Sequence, residues 1–186
     1  MSLTPLRARK LSTIFSILDL NDDGIIERGD FLRRVNGFAA LRGWSGDSPE
    51  YLRNAAYSLE EWKNLRETVD VDEDGTVTRD EYLKFGEVYL SDLDAVRAYA
   101  RGDIQLLFDA MDLDGDERVS AAEYREYLEV CGADPSGADE FFAHADRDRD
   151  GKITRAELAH AFEEFLLSDD PGARGNFLFG AVDQDA

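Results

Sequence analysis

Side chains with oxygen atoms recur at a fixed spacing in four twelve-residue segments, which begin at Asp19, Asp70, Asp112 and Asp146. Each segment has Asp at position 1, Asp or Asn at position 3, Asp at position 5, an aliphatic residue at position 8 and Asp or Glu at position 12. Carboxylate and carbonyl oxygens are the ligands of hard cations, and Ca²⁺ takes six to eight of them at about 2.3–2.6 Å. The spacing therefore predicts four loops that each wrap a divalent cation, with Ca²⁺ as the expected ion in up to four sites.

The predicted ligands are the side chains at positions 1, 3, 5 and 12 and the backbone carbonyl at position 7, with Glu27 added at position 9 of the first loop. They are Asp19, Asn21, Asp23, Ile25, Glu27 and Asp30 in the first loop, Asp70, Asp72, Asp74, Thr76 and Glu81 in the second, Asp112, Asp114, Asp116, Arg118 and Glu123 in the third, and Asp146, Asp148, Asp150, Lys152 and Glu157 in the fourth.

The second and fourth loops satisfy every rule of the pattern, because each also has glycine at position 6 and glutamate at position 12. Glutamate at position 12 can donate both of its oxygens, and it lies on the outgoing helix, so ion capture is tied to the position of that helix. Glycine at position 6 allows the sharp turn that needs a positive φ. These two loops are the strongest predicted sites.

The first and third loops each depart from the pattern at one position. Asp30 at position 12 is one methylene shorter than glutamate, which makes bidentate coordination harder, so weaker calcium selectivity is expected there and Mg²⁺ is a candidate ion. Glu117 stands where glycine belongs in the third loop, and a non-glycine residue at positive φ costs about 1–3 kcal/mol. Binding at the third loop is expected to be weakened rather than lost.

Apolar residues on both sides of each loop recur with a helical period, as in the run from Leu11 to Leu18 before the first loop. The prediction is an all-α, compact fold of four helix–loop–helix units in two packed pairs, residues 1–91 and 92–186. Short antiparallel strand contacts between paired loops are also expected. Their predicted partners at position 8 are Ile26 with Val77 and Val119 with Ile153.

The C-terminal segment contains Phe177, Leu178, Phe179 and Val182, which are too apolar for a free tail. We expect it to dock on the body of the protein and cover apolar surface.

The composition excludes several classes of partner. A formal charge of −20, from 41 acidic and 21 basic residues, repels nucleic acid and anionic membranes, and four bound dications would reduce it to −12. Cys131 is alone, so an intramolecular disulfide is impossible, and it is predicted to be a small core residue. The chain has no apolar run of membrane-spanning length, and its start lacks the apolar stretch of a signal peptide. A cytoplasmic monomer is expected, with no protein partner indicated.

The four loops identify the chain as a member of the EF-hand superfamily. Within it, the sequence resembles the sarcoplasmic calcium-binding proteins and bacterial calerythrin, through four hands, a long second incoming helix and the apolar Phe177-Leu178-Phe179-Gly180 tail. The resemblance implies two halves packed around a shared apolar interior, and a buffering or transport role for calcium. Members usually have a degenerate loop, whereas all four loops here keep their acidic residues.

Three functions follow from these observations. A cytoplasmic calcium buffer with Ca²⁺/Mg²⁺ exchange is favoured, because the chain has only two Met, whereas promiscuous sensor grooves are rich in Met. The alternative is a sensor that changes shape with calcium and regulates a protein partner. The third is a carrier of a small organic ligand of the luciferin-binding type, whose cavity Trp44, Trp62, His144 and His160 could line. An enzyme is not expected, since no nucleophile–base pair or phosphate-binding loop is recognisable.

Overall fold

The computed structural model describes residues 4–90, 92, 94, 96, 104, 107–112 and 114–180, and all structural statements below refer to these residues. The helices are α1 (Pro5–Leu18), α2 (Arg28–Arg42), α3 (Pro49–Val69), α4 (Arg79–Tyr89), α5 (described at residues 107–111), α6 (Ala121–Val130), α7 (Ala138–Ala145) and α8 (Arg155–Leu167). Two 3-10 turns lie at Pro135–Gly137 and Arg174–Phe177. The helices flank the four loops in sequence, which confirms the predicted all-α fold of four helix–loop–helix units.

Each loop contains one two-residue strand, and the strands pair antiparallel within each half of the chain. Strand β1 (Ile25–Ile26) pairs with β2 (Val77–Thr78), and β3 (Val119–Ser120) pairs with β4 (Lys152–Ile153). The registers match Ile26 with Val77 and Val119 with Ile153, as predicted. All four of these aliphatic side chains are buried, so the two loops of a pair are joined back to back through the core.

The outgoing helices of the second, third and fourth loops begin in the same way. The hydroxyl at position 9 accepts a hydrogen bond from the backbone N–H of position 12, and the glutamate at position 12 accepts one from the backbone N–H of position 9. This reciprocal arrangement is a capping box, which satisfies two N–H groups at a helix start. The glutamate at position 12 is therefore fixed as part of the helix. The hydroxyls are those of Thr78, Ser120 and Thr154.

The helices enclose one hydrophobic cluster that draws residues from both halves of the chain. Within the first half, Phe31 packs against Trp62 with ring centroids 5.7 Å apart. Between the halves, Phe38 of α2 stacks on Tyr127 of α6 at 6.1 Å. The division of the chain at residue 91 stays a prediction, since residue 91 lies outside the described residues.

Two basic side chains of α1 hold the C-terminal end of α8. Lys10 is buried, and its Nζ donates to the carbonyl of Ser168 at 2.7 Å, while Arg7 donates to the carbonyl of Leu167 at 2.8 Å. The last carbonyls of a helix have no partner within the helix, and cations there also complement its dipole. These contacts join the first helix to the last one.

The described part of the apolar C-terminal segment contacts three helices of the second half. Leu178 is fully buried and its carbonyl accepts a hydrogen bond from the hydroxyl of Tyr124, a buried residue of α6. Phe179 meets Phe165 of α8 edge to face, with ring centroids 5.3 Å apart, and Phe177 stacks on His144 of α7 at 4.0 Å. The segment therefore covers α6, α7 and α8. Val182, which was also expected to dock, lies outside the described residues.

None of the described helices combines the length and the apolarity needed to cross a membrane.

Candidate metal centres

The same hydrogen-bond frame shapes all four loops. In each, the aspartate at position 1 accepts a hydrogen bond from the backbone N–H of position 6, at 2.8–3.0 Å. The aspartate at position 5 accepts from the N–H of position 7, at 2.9–3.1 Å. Aspartate and asparagine favour such bonds to the backbone two residues on, which is why these residue types form tight turns. The frame therefore follows from the local sequence alone.

In three loops the carboxylates at positions 1, 3 and 12 come together. Each group offers oxygen atoms that all lie within 4.8 Å of one another. Such a cluster of hard oxygen donors, without nitrogen or sulfur, suits Ca²⁺ or Mg²⁺ rather than a softer transition metal. The groups are Asp70, Asp72 and Glu81 in the second loop, Asp112, Asp114 and Glu123 in the third, and Asp146, Asp148 and Glu157 in the fourth.

In each of these three loops, the glutamate at position 12 accepts hydrogen bonds from a backbone N–H near the start of the loop and from another near its end. Oε2 of Glu81 accepts from the N–H of Thr78 at 2.9 Å, and Oε1 accepts from the N–H of Val71 at 3.0 Å, on the opposite side of the loop. Glu157 makes the equivalent contacts with Thr154 and Arg147. The carboxylate thus lies between the two ends of the loop and faces the oxygens of positions 1 and 3.

These hydrogen bonds also keep the closing carboxylates charged. Donation from the Thr78 backbone and hydroxyl lowers the pKa of Glu81. Burial on its own raises the pKa of Glu157, but donors at Thr154 and Arg147 outweigh it, so the net shift of this pKa is downward. Hydrogen bonds to the ionised form favour that form. Both groups are therefore carboxylates at neutral pH, which is the state a cation requires.

The first loop keeps the hydrogen-bond frame but is closed differently. Asp30 is almost fully buried, and its Oδ2 accepts from the N–H of Glu27 at 2.8 Å. Its Oδ1 accepts from the guanidinium of Arg33 at 3.0 Å, and the same guanidinium lies 3.8 Å from Glu27 Oε1. Among the described residues, the first loop shows no group of three acidic side chains within the distance found in the other loops. Arg33 thus forms ion pairs with both carboxylates that were predicted to complete this site, and offsets part of their charge.

The third loop has glycine at position 4 and a non-glycine residue, Glu117, at position 6, which is the reverse of the other three loops. Glu117 does have a positive φ, 62°, as predicted. However, every loop has a positive φ at position 4 as well as at position 6, and in the third loop position 4 is Gly115. The other loops have glycine at position 6 and a non-glycine residue at position 4: Asp22, Glu73 and Arg149, with φ of 56–61°. Each loop therefore contains one non-glycine residue in the left-handed region, and the expected penalty is not specific to the third loop.

At position 7 of the third and fourth loops, only the backbone carbonyls were predicted to be ligands, and no role was predicted for the side chains. The guanidinium of Arg118 forms an ion pair with Asp150, and the ammonium of Lys152 forms one with Asp116. The hydrogen bond from Lys152 lowers the pKa of Asp116. Basic residues at position 7 of both loops of one pair are the sequence signal for this contact.

Comparison with known protein families matches three parts of the chain. The family model for an EF-hand domain pair matches residues 2–37, one for an EF hand matches residues 104–128, and one for an EF hand domain matches residues 137–165. The first, third and fourth loops lie wholly within these matches.

Three similar proteins cover most of the chain. Sarcoplasmic calcium-binding proteins II, V, VI and VII of Branchiostoma lanceolatum are 28% identical over 67% of this chain and 70% of their own length. The luciferin-binding protein of Renilla reniformis is 25% identical over 92% of both chains. A solved structure, described as the structural basis for prokaryotic calcium-mediated regulation by a Streptomyces coelicolor calcium-binding protein, has a TM-score of 0.71 and 25% identity, over 86% of this chain and 97% of its own.

Proposed function

The chain belongs to the EF-hand superfamily, and on this basis we propose that it is a cytoplasmic calcium buffer that exchanges Ca²⁺ against Mg²⁺. The observation that carries the proposal is the set of three groups of carboxylates that come together at positions 1, 3 and 12. Backbone N–H groups donate hydrogen bonds to the glutamate at position 12 in each group and hold it facing the other two carboxylates.

The proposed sites use the ligands predicted from the sequence. The second, third and fourth loops each contribute side-chain oxygens at positions 1, 3, 5 and 12 and the carbonyl at position 7. The first loop is proposed as a weaker site, because Asp30 and Glu27 are engaged by Arg33. A site with fewer available oxygens suits the octahedral preference of Mg²⁺ better than the larger shell of Ca²⁺.

The docked C-terminal segment favours a buffer over a sensor. A calcium sensor exposes an apolar groove between the helices of a hand and accepts a partner's helix there. Here the surface along α7 and α8 is covered by Phe177, Leu178 and Phe179 of the chain itself. Sarcoplasmic calcium-binding proteins are among the similar proteins, which agrees with this role.

A sensor is the second candidate, supported by the similarity to the Streptomyces coelicolor protein, whose description refers to calcium-mediated regulation. In that role the tail would leave the body when calcium binds. The two proposals differ in exposed apolar surface. Dye binding should rise on adding calcium for a sensor, and stay constant or fall for a buffer.

A carrier of a small organic ligand has less support, although a luciferin-binding protein is among the similar proteins. Trp62 is buried against Phe31, and His144 stacks on Phe177. A cleft of about 330 Å³ between α1 and the α6–α7 connection is lined by other residues, including Ser12, Ser16 and Cys131. A chromophore that absorbs light and copurifies with the protein would support this role.

Titration calorimetry with calcium, in the absence and presence of excess magnesium, tests the proposal. We expect three tight calcium sites, and a further weak site whose heat is suppressed by magnesium. A protein that binds no calcium, or whose tight sites are all abolished by magnesium, would contradict it.

A further inference from the structure

A cleft of about 330 Å³ lies between α1, the connection from α6 to α7 and the C-terminal segment. Its lining includes Ser12 and Ile17 of α1, Cys131 and Asp134 after α6, and Phe179 of the C-terminal segment. None of the residues that line it is a predicted metal ligand. Ligand pockets in proteins measure about 300–1,000 Å³ and combine an apolar lining with a few polar groups. The size and the mixed lining of this cleft therefore suit a small organic molecule.

The internal repeat of the chain provides a counterpart of this cleft. Counted from position 1 of the first and third loops, Ile17 corresponds to Ala110 of α5, and Cys131 corresponds to Phe38 of α2. At the counterpart, the guanidinium of Arg42 donates to the carbonyl of Ala110 at 2.8 Å and lies over the ring of Phe38, 5.6 Å from its centroid. A cation of the chain itself thus lies between α2 and α5, whereas the cleft lies between the corresponding helices α6 and α1.

The cleft offers the groups that such a cation needs. The hydroxyl and the backbone N–H of Ser136 donate to Asp134, at 2.7 and 2.9 Å, and these hydrogen bonds lower the pKa of Asp134. Asp134 is therefore a carboxylate at neutral pH. Phe179 provides an aromatic ring, which Cys131 at the place of Phe38 does not. The carbonyls in the last turn of a helix, where Ile17 lies, have no partner within the helix.

We propose that the cleft binds a small organic cation, an amidinium or guanidinium group joined to an aromatic body, in the place that Arg42 takes at the counterpart. The cation pairs with Asp134 and the end of α1, and the aromatic body packs against Phe179. The formal charge of −20 adds a general attraction for cations. This site is separate from the four loops, so the inference goes beyond calcium binding.

The experiment titrates the full chain with benzamidine and follows the backbone amides of Gly132 and Ala133, which both line the cleft, by NMR. Excess calcium is present, so that the acidic loops do not compete for the probe. We expect saturable shifts with a Kd of about 1 mM, as is usual for so small a probe. Benzamide, which has nearly the same shape but no charge, should bind about threefold to tenfold more weakly. The indole N–H of Trp44, which lies beside Arg42, should not respond.

Two pairs of variants separate the charge of the cleft from its shape. Asp134→Asn should weaken benzamidine about threefold to tenfold and leave benzamide within about twofold. Asp47→Asn is the matched control, because Asp47 is also an exposed aspartate that accepts a hydrogen bond from a serine hydroxyl, at 2.6 Å from Ser45, and its loss changes the net charge equally. Ser12→Phe should block both probes by filling the cleft, whereas Ser12→Ala should bind both.

Three results would overturn the inference. They are equal binding of benzamidine and benzamide, an Asp134→Asn variant that binds benzamidine like Asp47→Asn, and shifts that grow without saturation over the acidic surface. A failure of the calcium proposal is recognised separately, because it appears as loops that do not respond to calcium, while the probes report on residues outside the loops.

Discussion

The first and second loops have the same internal hydrogen bonds but different closures. In both, the aspartate at position 1 accepts from the N–H of the glycine at position 6, at 2.9 and 3.0 Å. In the second loop, Glu81 reaches across to the N–H of Val71, whereas Asp30 in the first loop is held by Arg33. The frame of a loop is thus independent of its closure. The two loops differ at position 12 by one methylene group, and the last carboxylate contacts the opposite side of the loop in the second and the guanidinium of Arg33 in the first.

The largest expected effect comes from neutralising position 12. Glu81→Gln and Glu157→Gln should each remove one tight calcium site, with an affinity loss of at least about tenfold at that loop, because a charged ligand is replaced by a neutral one. Asp30→Asn should leave the number of tight sites unchanged, because Asp30 faces Arg33. Calorimetric stoichiometry measures all three variants.

If Asp30→Asn also removes a tight site, the distinction between the first loop and the others is wrong. If neither glutamine variant lowers the stoichiometry, the assignment of the loops as calcium sites is wrong. Glutamine can replace glutamate in a capping box, so both glutamine variants should keep the start of the helix, and the thermal stability of each ion-free variant should be recorded to check this.

A smaller effect, a gain in calcium affinity, is expected when the first loop is given the closure of the second. Asp30→Glu combined with Arg33→Gln lengthens the closing carboxylate and removes the competing cation, so the first loop should bind calcium about tenfold more tightly and lose its preference for magnesium. Competition titrations of calcium against magnesium measure the change.

Arg33→Gln alone is the matched control, because it frees Asp30 without lengthening it. If the control gains as much calcium affinity, the positive charge of Arg33, and not the length of the side chain at position 12, distinguishes the two loops. No gain from either variant would contradict the account of the first loop.

The smallest effect is expected at Gly115, the glycine that the third loop has at position 4 instead of position 6. Gly115 has a φ of 75° and open space where a Cβ would lie, so Gly115→Ala should cost only backbone strain, about 1 kcal/mol of unfolding free energy. Glu117→Gly should stabilise the loop by a similar or smaller amount. Urea unfolding of the ion-free protein measures both.

Gly46→Ala is the control, because Gly46 has no positive φ and its added Cβ would also meet open space. We expect little change there. A Gly115→Ala variant as stable as Gly46→Ala would show that position 4 is not strained, and would restore Glu117 as the specific weakness of the third loop.

The loops and their strands could be predicted because their causes are local. Alternating aspartates bond to the backbone a few residues away, and the aliphatic residue at position 8 follows each turn, so Ile26 with Val77 and Val119 with Ile153 were paired correctly. The strain at the third loop was misjudged because only position 6 was considered. The glycine at position 4 was visible in the sequence, and its role became clear only from the φ angles of all four loops.

Periodicity was a weaker guide to burial than to helix formation. Leu52 lies on the same apolar stripe of α3 as Trp62, yet Leu52 is 55% exposed and Trp62 is 6% exposed. The helix period fixes which residues share a face. Whether that face meets the core at a given turn depends on where the neighbouring helices end.

By itself, the sequence determined four oxygen-lined loops, their helices and the residues at each ligand position, because hydrogen bonds between near neighbours create those features. Only the tertiary structure decided which charges of the neighbouring loop the third and fourth loops meet: Arg118 of the third loop against Asp150, and Lys152 of the fourth loop against Asp116. These ion pairs join residues more than thirty positions apart, and the strand register brings them together. Coulomb interactions depend on distance in space, so their partners could not be read from spacing along the chain.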